Sequence, residues 1–418
     1  MLMNRWLLNR AADRLLSFGD ESSLLQPVPE ADRSYLLYVH IPFCARLCPY
    51  CSFHRVVYDA DLATRYFGAL RAEIKAYAEL GFNFSDVYVG GGTPTVNIPE
   101  LVSTLNLVNR LFDIKSISVE TNPDHLDART SDALLACGVN RLSVGVQSFD
   151  DRQLNRMGRL DTYGTGREIQ ARLSGIEGKF STVNVDMIFN LPGQTEATLS
   201  QDIKMLLDSG VGQASFYPLM ITEATRSQVT RDMGIFSLGQ ERAFYNQILD
   251  GMSGTHKPSS VWCFSRDGDQ IDEYIVDHDE FVGVGSGAFS YLDGVFYANS
   301  FSILRYDELL TAQDLGITRC RPLQQWEQRY YGLLTGLFGL TLSAKQLKSI
   351  YGDSYPAALE LLTLTGIIEK KAGLYCLTGK GRYQWLVAMS VFLNGVNNLR
   401  EQMRAHIHEE VQASLFLP

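Results

Sequence analysis

The sequence predicts an α/β fold in which helices wrap a parallel sheet. Six short apolar runs alternate with amphipathic segments between residues 35 and 220. We predict strands at residues 35–40, 86–90, 116–121, 141–146, 182–186 and 213–216. Strand–helix alternation of this kind is typical of parallel sheets with right-handed crossovers. The active site of such a sheet is expected at the carboxyl ends of its strands.

Composition and charge narrow the class of protein. The chain has 418 residues, 45% of them apolar, with a net charge of −10. This length suits two or three domains, and the acidic balance argues against nucleic-acid binding. No apolar run approaches the ~20 residues that span a bilayer, and the N-terminal segment lacks the apolar core of a signal peptide. We therefore expect a cytoplasmic monomer without a membrane span.

Three of the seven cysteines are close together after the first predicted strand. Cys44, Cys48 and Cys51 form a C-x3-C-x2-C pattern, and the other four are scattered. Three thiolates on one loop can hold three irons of a [4Fe–4S] cluster and leave the fourth iron open, whereas closed electron-transfer clusters take four cysteines. The alternative is zinc, but structural zinc sites take four ligands, commonly as two C-x2-C pairs. The pattern predicts an open metal site in a reducing compartment.

The residues around these cysteines resemble the radical S-adenosylmethionine (SAM) superfamily. An aromatic residue precedes Cys51 and another, Phe53, follows it by two positions. The preceding HIPFC narrows the resemblance to the oxygen-independent coproporphyrinogen III oxidase (HemN/HemW-like) family. It implies a partial (β/α)6 radical SAM barrel, a [4Fe–4S] cluster and SAM bound at its open iron. In that family one electron cleaves SAM to methionine and a 5′-deoxyadenosyl radical, which takes hydrogen from a substrate.

The ends of the second and third strands match SAM-binding motifs of this family. GGGTPT follows the second strand, and the resemblance implies that Gly91, Gly92 and Thr93 bind SAM, the glycines at its amino group. A glycine run alone also fits a plain tight turn. Glu120 ends the third strand and is implied to contact SAM. A buried carboxylate is costly without a partner, so we expect it to have one.

The later strands continue the match. Gln147 lies in GVQSF, and Arg159 follows in the family's L-x-R motif, where its guanidinium suits the SAM carboxylate. Without the motif, Arg159 would more often be a surface arginine on a helix. Asp186 matches a strand-end aspartate that hydrogen-bonds SAM. Asn190 replaces the glycine of D-x-I-x-G-L-P, a mild change because asparagine tolerates positive φ.

Two residues that flank the cysteines are catalytic candidates. Tyr38 is a candidate for both catalysis and cofactor binding. Phe53 is a candidate for cofactor binding only. His54 is a candidate on the substrate side of the cluster. The alternative for the histidines His40 and His54 is packing and hydrogen bonding around the cluster.

The chain departs from its relatives at positions that bear on activity. Coproporphyrinogen oxidases carry C-G-C where this chain has C-S-F-H, and HemW-like proteins carry C-D-F where it has Ser52. Phe289 stands where HemW-like proteins usually have a histidine. Substrate identity is expected to depend on residues 221–320 and the C-terminal region.

We predict five segments along the chain. They are a helical arm (1–33), the barrel (34–220), an α+β accessory region (221–320), a small winged-helix-like domain (321–395) and a helical tail (396–418). The resemblance favours a substrate lid for the C-terminal domain.

Three functions remain open at this point. The first is a radical SAM enzyme that acts on a large, mostly apolar substrate, such as a tetrapyrrole, with flavodoxin or ferredoxin as the reducing partner. The second is a class C methyltransferase or cyclopropanase that binds two SAM molecules. The third is a chaperone that binds and delivers haem.

Overall fold

A computed structural model describes residues 5–18, 26–266, 278–352, 357–405 and 407. The strands of the first half are β1 (Tyr35–Ile41), β2 (Phe43–Cys44), β3 (Val56–Val57), β4 (Phe84–Gly91), β5 (Ser116–Thr121), β6 (Arg141–Gln147), β7 (Thr182–Phe189) and β8 (Gln213–Pro218). The helices among them are α1 (Arg5–Leu15), α2 (Ala60–Glu79), α3 (Ile98–Leu111), α4 (Ala128–Ala136), α5 (Asp151–Arg156), α6 (Leu160–Tyr163), α7 (Gly166–Ser174) and α8 (Glu196–Asp208). Short 3₁₀ turns cover Pro94–Asn97 and Pro123–His125.

The second half mixes shorter strands with helices. Its strands are β9 (Lys257–Pro258), β10 (Cys263–Ser265), β11 (Phe281–Val284), β12 (Phe289–Leu292), β13 (Val295–Asn299), β14 (Ile317–Pro322), β15 (Thr341–Leu342), β16 (Ile368–Lys371) and β17 (Leu374–Leu377). Its helices are α9 (Glu223–Asp232), α10 (Glu241–Met252), α11 (Ile303–Thr311), α12 (Gln325–Phe338), α13 (Ala344–Tyr351), α14 (Ala357–Leu364) and α15 (Gly379–Ala405).

The six predicted strands are present and form the parallel core. They correspond to β1 and β4 to β8, which pair in parallel in the order of the chain. The predicted α/β fold class is thereby confirmed. All but one of the residues of β1 are buried, as expected of a central strand covered on both faces.

The accessory region extends this sheet at both edges. β11 adds to β1 in parallel, and β12, β13 and β14 follow it as an antiparallel meander. On the other edge β10 and β9 pair antiparallel beyond β8. Among the described residues the result is one sheet of twelve strands.

A buried carboxylate joins this extension to the barrel. Glu73 of α2 is fully buried and accepts hydrogen bonds from the amides of Gly285 (2.8 Å) and Gly316 (3.0 Å). The Tyr306 hydroxyl (2.6 Å) and the Asn299 side chain (2.9 Å) also donate to it. Four donors from separate segments therefore converge on one side chain, which positions the β11–β12 turn beside β1.

The C-terminal region consists of helices and a small three-stranded sheet. Three helices, α12, α13 and α14, precede the β16–β17 hairpin, which pairs with β15. α15 then runs without a break across residue 395, where we predicted the start of the tail. A Cβ atom at Gly395 would lie 2.9 Å from Leu16 Cδ1, so α15 and the segment after α1 pack closely there.

Candidate active site

A cavity of about 380 Å³ lies at the carboxyl ends of the parallel strands. Twelve of the thirteen predicted site residues line it: Tyr38, Cys44, Cys48, Cys51, Phe53, Gly91, Gly92, Thr93, Glu120, Gln147, Arg159 and Asp186. These residues come from six strands and the loops that follow them. The structure therefore brings the predicted motifs together at one place.

The loop that carries the three cysteines, residues 44–51, follows β2 and is hydrogen-bonded to the side chain of Arg55. We call it the cysteine loop. The guanidinium of Arg55 donates to the carbonyl oxygens of Cys48 (2.6 Å) and Cys51 (2.5 Å). The Thr93 hydroxyl lies 3.7 Å from Cys44 Sγ, and Arg159 Nη1 lies 3.7 Å from Cys48 Sγ. Hydrogen-bond donors near thiolate sulfur stabilise its negative charge.

The donor set fits a cluster with one iron per cysteine. All three cysteines are free of disulfide bonds and line one cavity. Among the described residues, no group of three His, Cys, Asp or Glu side chains is placed to hold a single metal ion. The three thiols are thus spread out, as a cluster with several irons requires. Burial raises the pKa of the Cys44 thiol to about 12, and the neighbouring Cys51 adds to this shift. A coordinated thiol is deprotonated, so cluster binding here is coupled to proton release.

The glycine turn after β4 needs glycine for two reasons. Gly91 has a φ of +119°, and a Cβ atom on it would lie 2.8 Å from the Ile41 carbonyl oxygen. A Cβ atom at Gly92 would lie 2.6 Å from the Phe43 carbonyl oxygen. The turn thus packs directly on the strand that leads into the cysteine loop, and its backbone forms part of the cavity lining.

Glu120 ends β5 and has the partners expected of a half-buried carboxylate. The Tyr88 hydroxyl donates to Oε1 at 3.0 Å, and the Gly91 amide donates to Oε2 at 3.1 Å. Both oxygens are therefore fixed beside the glycine turn. A carboxylate fixed in this way can accept further hydrogen bonds from a cationic ligand group.

Arg159 is buried under the cysteine loop rather than exposed on a helix. Its Nη2 donates to Asn122 Oδ1 (3.0 Å) and to the carbonyl oxygen of Gly145, and its guanidinium lies 4.1 Å from the centre of the Tyr163 ring. Burial opposes its charge, but Tyr50 and Cys48 nearby raise its pKa overall. A permanent cation in this place suits an anionic ligand.

Gln147 and Asp186 complete the strand ends. Gln147 has a φ of +73° at a bulge between β6 and β7, an uncommon conformation for a residue other than glycine. Asp186 accepts hydrogen bonds from the Ser143 hydroxyl (2.9 Å) and Asn184 Nδ2 (2.8 Å). Asn190, which replaces the glycine of the family motif, has a φ of +62°, a conformation that asparagine tolerates better than most residues.

Comparison with known proteins agrees with this geometry. The family model of the radical SAM superfamily matches residues 38–206 of this chain. The haem chaperone HemW of Bacillus subtilis (strain 168) is 28% identical over 371 residues, which cover 82% of this chain and 95% of that protein. This chain belongs to the radical SAM superfamily, in its HemN/HemW-like family.

Other members of the family match shorter parts of the chain. Anaerobilin synthase of Escherichia coli O157:H7 is 28% identical over 67% of this chain and 66% of its own length. The oxygen-independent coproporphyrinogen III oxidase of Bradyrhizobium diazoefficiens is 34% identical over 46% of this chain and 44% of its own. The solved structure of the coproporphyrinogen III oxidase HemN from Escherichia coli superposes on this chain with a TM-score of 0.72. The superposition covers 94% of this chain and 93% of that protein at 21% sequence identity, so the two proteins share the fold.

The radical SAM family implies a [4Fe–4S] cluster and SAM, and the residues described above fit both groups. The chain offers three cysteines for the cluster, a fixed carboxylate at Glu120 and a buried cation at Arg159, all lining one cavity. No helix in the described part of the chain has the length and apolar character needed to cross a membrane.

Tyr38 and His40 lie next to each other on this HemN/HemW-like barrel. His40 Nε2 lies 3.0 Å from the His54 carbonyl oxygen, which can only accept, so Nε2 carries the proton. Nδ1 is then an acceptor, and the Tyr38 hydroxyl donates to it at 2.9 Å. Burial lowers the pKa of His40 to about 4, so the ring is neutral near pH 7. The Tyr38 ring itself lines the cavity.

His54, the thirteenth candidate, occupies a different place. Its side chain is buried, its Nε2 lies 3.3 Å from the Ser286 hydroxyl, and its ring packs edge-on against Phe301 with centroids 4.8 Å apart. A Cβ atom at Gly287 would lie 2.5 Å from His54 Cδ2. The side chain therefore packs between the cysteine loop and the β11–β12 turn and is not among the residues that line the cavity, where we predicted it. This position favours packing over catalysis.

Helices form a further wall of the cavity, which the motifs of the sequence do not indicate. Residues of α15 and the segment after α1 line the cavity together with Phe289: they are Leu16, Phe18, Phe392, Leu393, Val396, Asn397, Leu399 and Arg400. The Phe18 and Phe289 rings lie 6.3 Å apart, which closes this side. We call this set the helical wall. Its signal in the sequence was the apolar face of residues 386–399, which is equally typical of an ordinary core helix.

Proposed function

We propose that this chain holds a [4Fe–4S] cluster on Cys44, Cys48 and Cys51, binds SAM at the strand ends, and takes hydrogen from a large, mostly apolar substrate related to tetrapyrroles. The observation that supports this most directly is the shared cavity. The three thiols, the strand-end polar groups and the largely apolar helical wall line the same space. The oxygen-independent coproporphyrinogen III oxidase and the anaerobilin synthase among the relatives suggest the tetrapyrrole class.

In this proposal the chain's own residues bind and orient SAM. Glu120 accepts from its amino group beside the Gly91 and Gly92 backbone, and Arg159 pairs with its carboxylate. Asp186 and Gln147 contact the rest of the molecule from the ends of β7 and β6. Tyr38 supports the site through its fixed hydrogen bond to His40.

The cluster and SAM, when bound, supply the electron and the hydrogen-abstracting group, and the protein supplies orientation and exclusion of water. Exclusion of water falls to the helical wall, whose Phe18, Phe289 and Phe392 side chains line the cavity. A reducing partner such as flavodoxin or ferredoxin would deliver the electron in the cell.

A haem chaperone is the second candidate. It is favoured by the HemW of Bacillus subtilis, which matches this chain over 95% of its own length. The same cavity would then hold haem. Phe289 favours the enzyme, because a phenyl ring cannot ligate iron as histidine does.

The test is SAM cleavage by the anaerobically reconstituted protein. Dithionite, SAM and a cell extract are added, and 5′-deoxyadenosine and S-adenosylhomocysteine are measured by mass spectrometry. We expect 5′-deoxyadenosine that rises with extract and disappears in Cys48→Ala but not in Cys376→Ala, a matched control outside the cavity. Both products rising together would indicate methyl transfer. Neither product, with tight haem binding, would favour the chaperone.

A further inference from the structure

Asn122 lies between two side chains that reach the thiols of the cysteine loop. The Thr93 hydroxyl lies 3.7 Å from Cys44 Sγ. Arg159 Nη1 lies 3.7 Å from Cys48 Sγ. Asn122 Nδ2 donates to the Thr93 hydroxyl at 2.9 Å, and Asn122 Oδ1 accepts from Arg159 Nη2 at 3.0 Å. One asparagine therefore connects the donors of two thiols in the same loop.

Arg159 fixes the direction of the hydrogen bonds in this network. A guanidinium only donates, so the Asn122 oxygen faces Arg159 and the Asn122 NH₂ group faces Thr93. The Thr93 oxygen then accepts from Asn122, which leaves its own hydroxyl proton for Cys44 Sγ. A thiolate has no proton to give and can only accept. The hydrogen bonds therefore run from Asn122 through Thr93 to the sulfur.

The backbone and burial hold Asn122 in place. It precedes Pro123, which restricts it to an extended conformation, and its φ of −119° and ψ of 161° agree with this. Asparagine at the start of a helical turn commonly caps that turn, but here the side chain reaches Thr93 and Arg159 instead. All three side chains are buried, and hydrogen bonds are electrostatically stronger in such surroundings than in water.

We propose that Asn122 sets the reduction potential of the cluster by orienting the two donors Thr93 and Arg159. It is a positioning residue, and this inference rests on the proposed function because it takes the three cysteines as the cluster ligands. Reduction by one electron adds negative charge, and hydrogen bonds to the sulfur atoms stabilise that charge and raise the potential. Without Asn122 the Thr93 hydroxyl can turn away from Cys44, and Arg159 loses one of the acceptors that orient it. The cluster is then harder to reduce.

The test measures the reduction potential of the reconstituted cluster without SAM, so that a lost SAM contact does not affect the result. The protein is titrated anaerobically with mediator dyes, and the reduced cluster is quantified by electron paramagnetic resonance. Asn122→Leu keeps the size of the side chain but not its hydrogen bonds. We expect it to lower the equilibrium constant of reduction about 10-fold, which is about 59 mV for one electron. Asn109→Leu is the matched control, because Asn109 donates to the Cys137 carbonyl oxygen outside the cavity.

Two further variants test the direction of the network. Asn122→Asp keeps an acceptor for Arg159 but presents no donor to Thr93, whose hydroxyl then donates to the carboxylate instead of to Cys44. We expect the potential to fall at least as far as in Asn122→Leu, because a negative charge is also added. Thr93→Val removes the hydroxyl alone and should give part of the decrease. Asn122→Leu should change the potential less in Thr93→Val than in the wild type.

The outcomes separate this inference from the proposed function. An unchanged potential in Asn122→Leu, or an equal decrease in Asn109→Leu, would overturn it. Equal effects of Asn122→Leu with and without Thr93→Val would also overturn it, because Asn122 would then not act through Thr93. If Asn122→Leu holds no cluster, the same titration of Asn122→Asp decides. The proposed function is judged on the wild type alone, by its iron and sulfide content and by its formation of 5′-deoxyadenosine from SAM.

Discussion

The Gly91 amide donates a hydrogen bond to Glu120 Oε2 at 3.1 Å, which joins the glycine turn of β4 to the carboxylate that ends β5. The Tyr88 hydroxyl fixes the other oxygen. Two motifs that are 29 residues apart in the sequence thus form one acceptor site. The amide and the hydroxyl orient the carboxylate before any ligand arrives, which reduces the cost of binding a cation.

Glu120→Gln should therefore weaken SAM binding. The amide side chain keeps one acceptor oxygen but loses the negative charge, and we expect the dissociation constant to rise about 10- to 100-fold, as for the loss of a charge-assisted hydrogen bond. Equilibrium dialysis of SAM with the reconstituted protein measures it. Glu308→Gln, an exposed substitution on α11, is the control. Unchanged affinity in Glu120→Gln would remove Glu120 from the SAM site.

Glu73 gives a prediction on stability. Each carboxylate oxygen accepts two hydrogen bonds: Oε1 from Asn299 and Gly316, and Oε2 from Gly285 and Tyr306. In Glu73→Gln one oxygen becomes an NH₂ group that faces two donors, which costs about 2–5 kcal/mol of unfolding free energy.

Urea unfolding of Glu73→Gln beside Glu79→Gln measures this effect. Glu79 ends the same helix and is exposed, so its substitution should change the midpoint little. Similar midpoints for the two variants would show that the four hydrogen bonds add nothing to stability.

The strand core was predictable because its signal is local. Each of the six parallel strands is an apolar run bounded by polar or glycine residues, and β1 is buried on both faces as such a run requires. The mild effect of Asn190 in place of glycine was also predictable, since asparagine tolerates the positive φ found there.

The helical wall and the site of His54 were not predictable in the same way. Arg400 meets Phe53 across 347 positions of sequence, and no local pattern encodes such a contact. The direction of the His54 side chain depends on Gly287 and Ser286, which reach it only because β11 pairs with β1. The strands β11 to β13 are 4–5 residues long, too short for periodicity to identify.

Asp202 predicts a dependence of stability on pH. Its carboxylate is buried in α8 and accepts from the Phe149 amide (2.7 Å) and the Ser148 hydroxyl (3.0 Å). Burial raises its pKa from 3.8 to about 7, against the opposing effect of these hydrogen bonds. Between about pH 4 and pH 7 the unfolded chain has lost this proton while the folded chain keeps it, so the contribution to stability falls as pH rises.

The measurement compares wild type with Asp202→Asn by urea unfolding between pH 5 and pH 8. We expect the wild type to lose stability relative to the variant as pH rises to about 7, by an amount on the order of 1 kcal/mol per pH unit, and the difference to level off above that. Asp208→Asn, at the exposed end of the same helix, should show no such trend. A constant difference across this range would mean that Asp202 ionises normally in the folded protein.

The variant His54→Ala tests whether His54 contributes to packing or to catalysis. Its ring is enclosed by Phe301, Ser286 and Gly287 rather than by the cavity. His54→Ala should therefore lower the unfolding free energy by about 2–4 kcal/mol through the space and the hydrogen bond it leaves. The variant should still form 5′-deoxyadenosine from SAM at a rate within about threefold of wild type per intact cluster, because a group outside the cavity contributes no transition-state contact.

The rates are normalised by the iron and sulfide content of each preparation, and assays at about 10 °C keep the destabilised protein folded. A loss of several hundredfold with a full cluster would return His54 to the catalytic site, whereas normal stability with a normal rate would contradict its packing function.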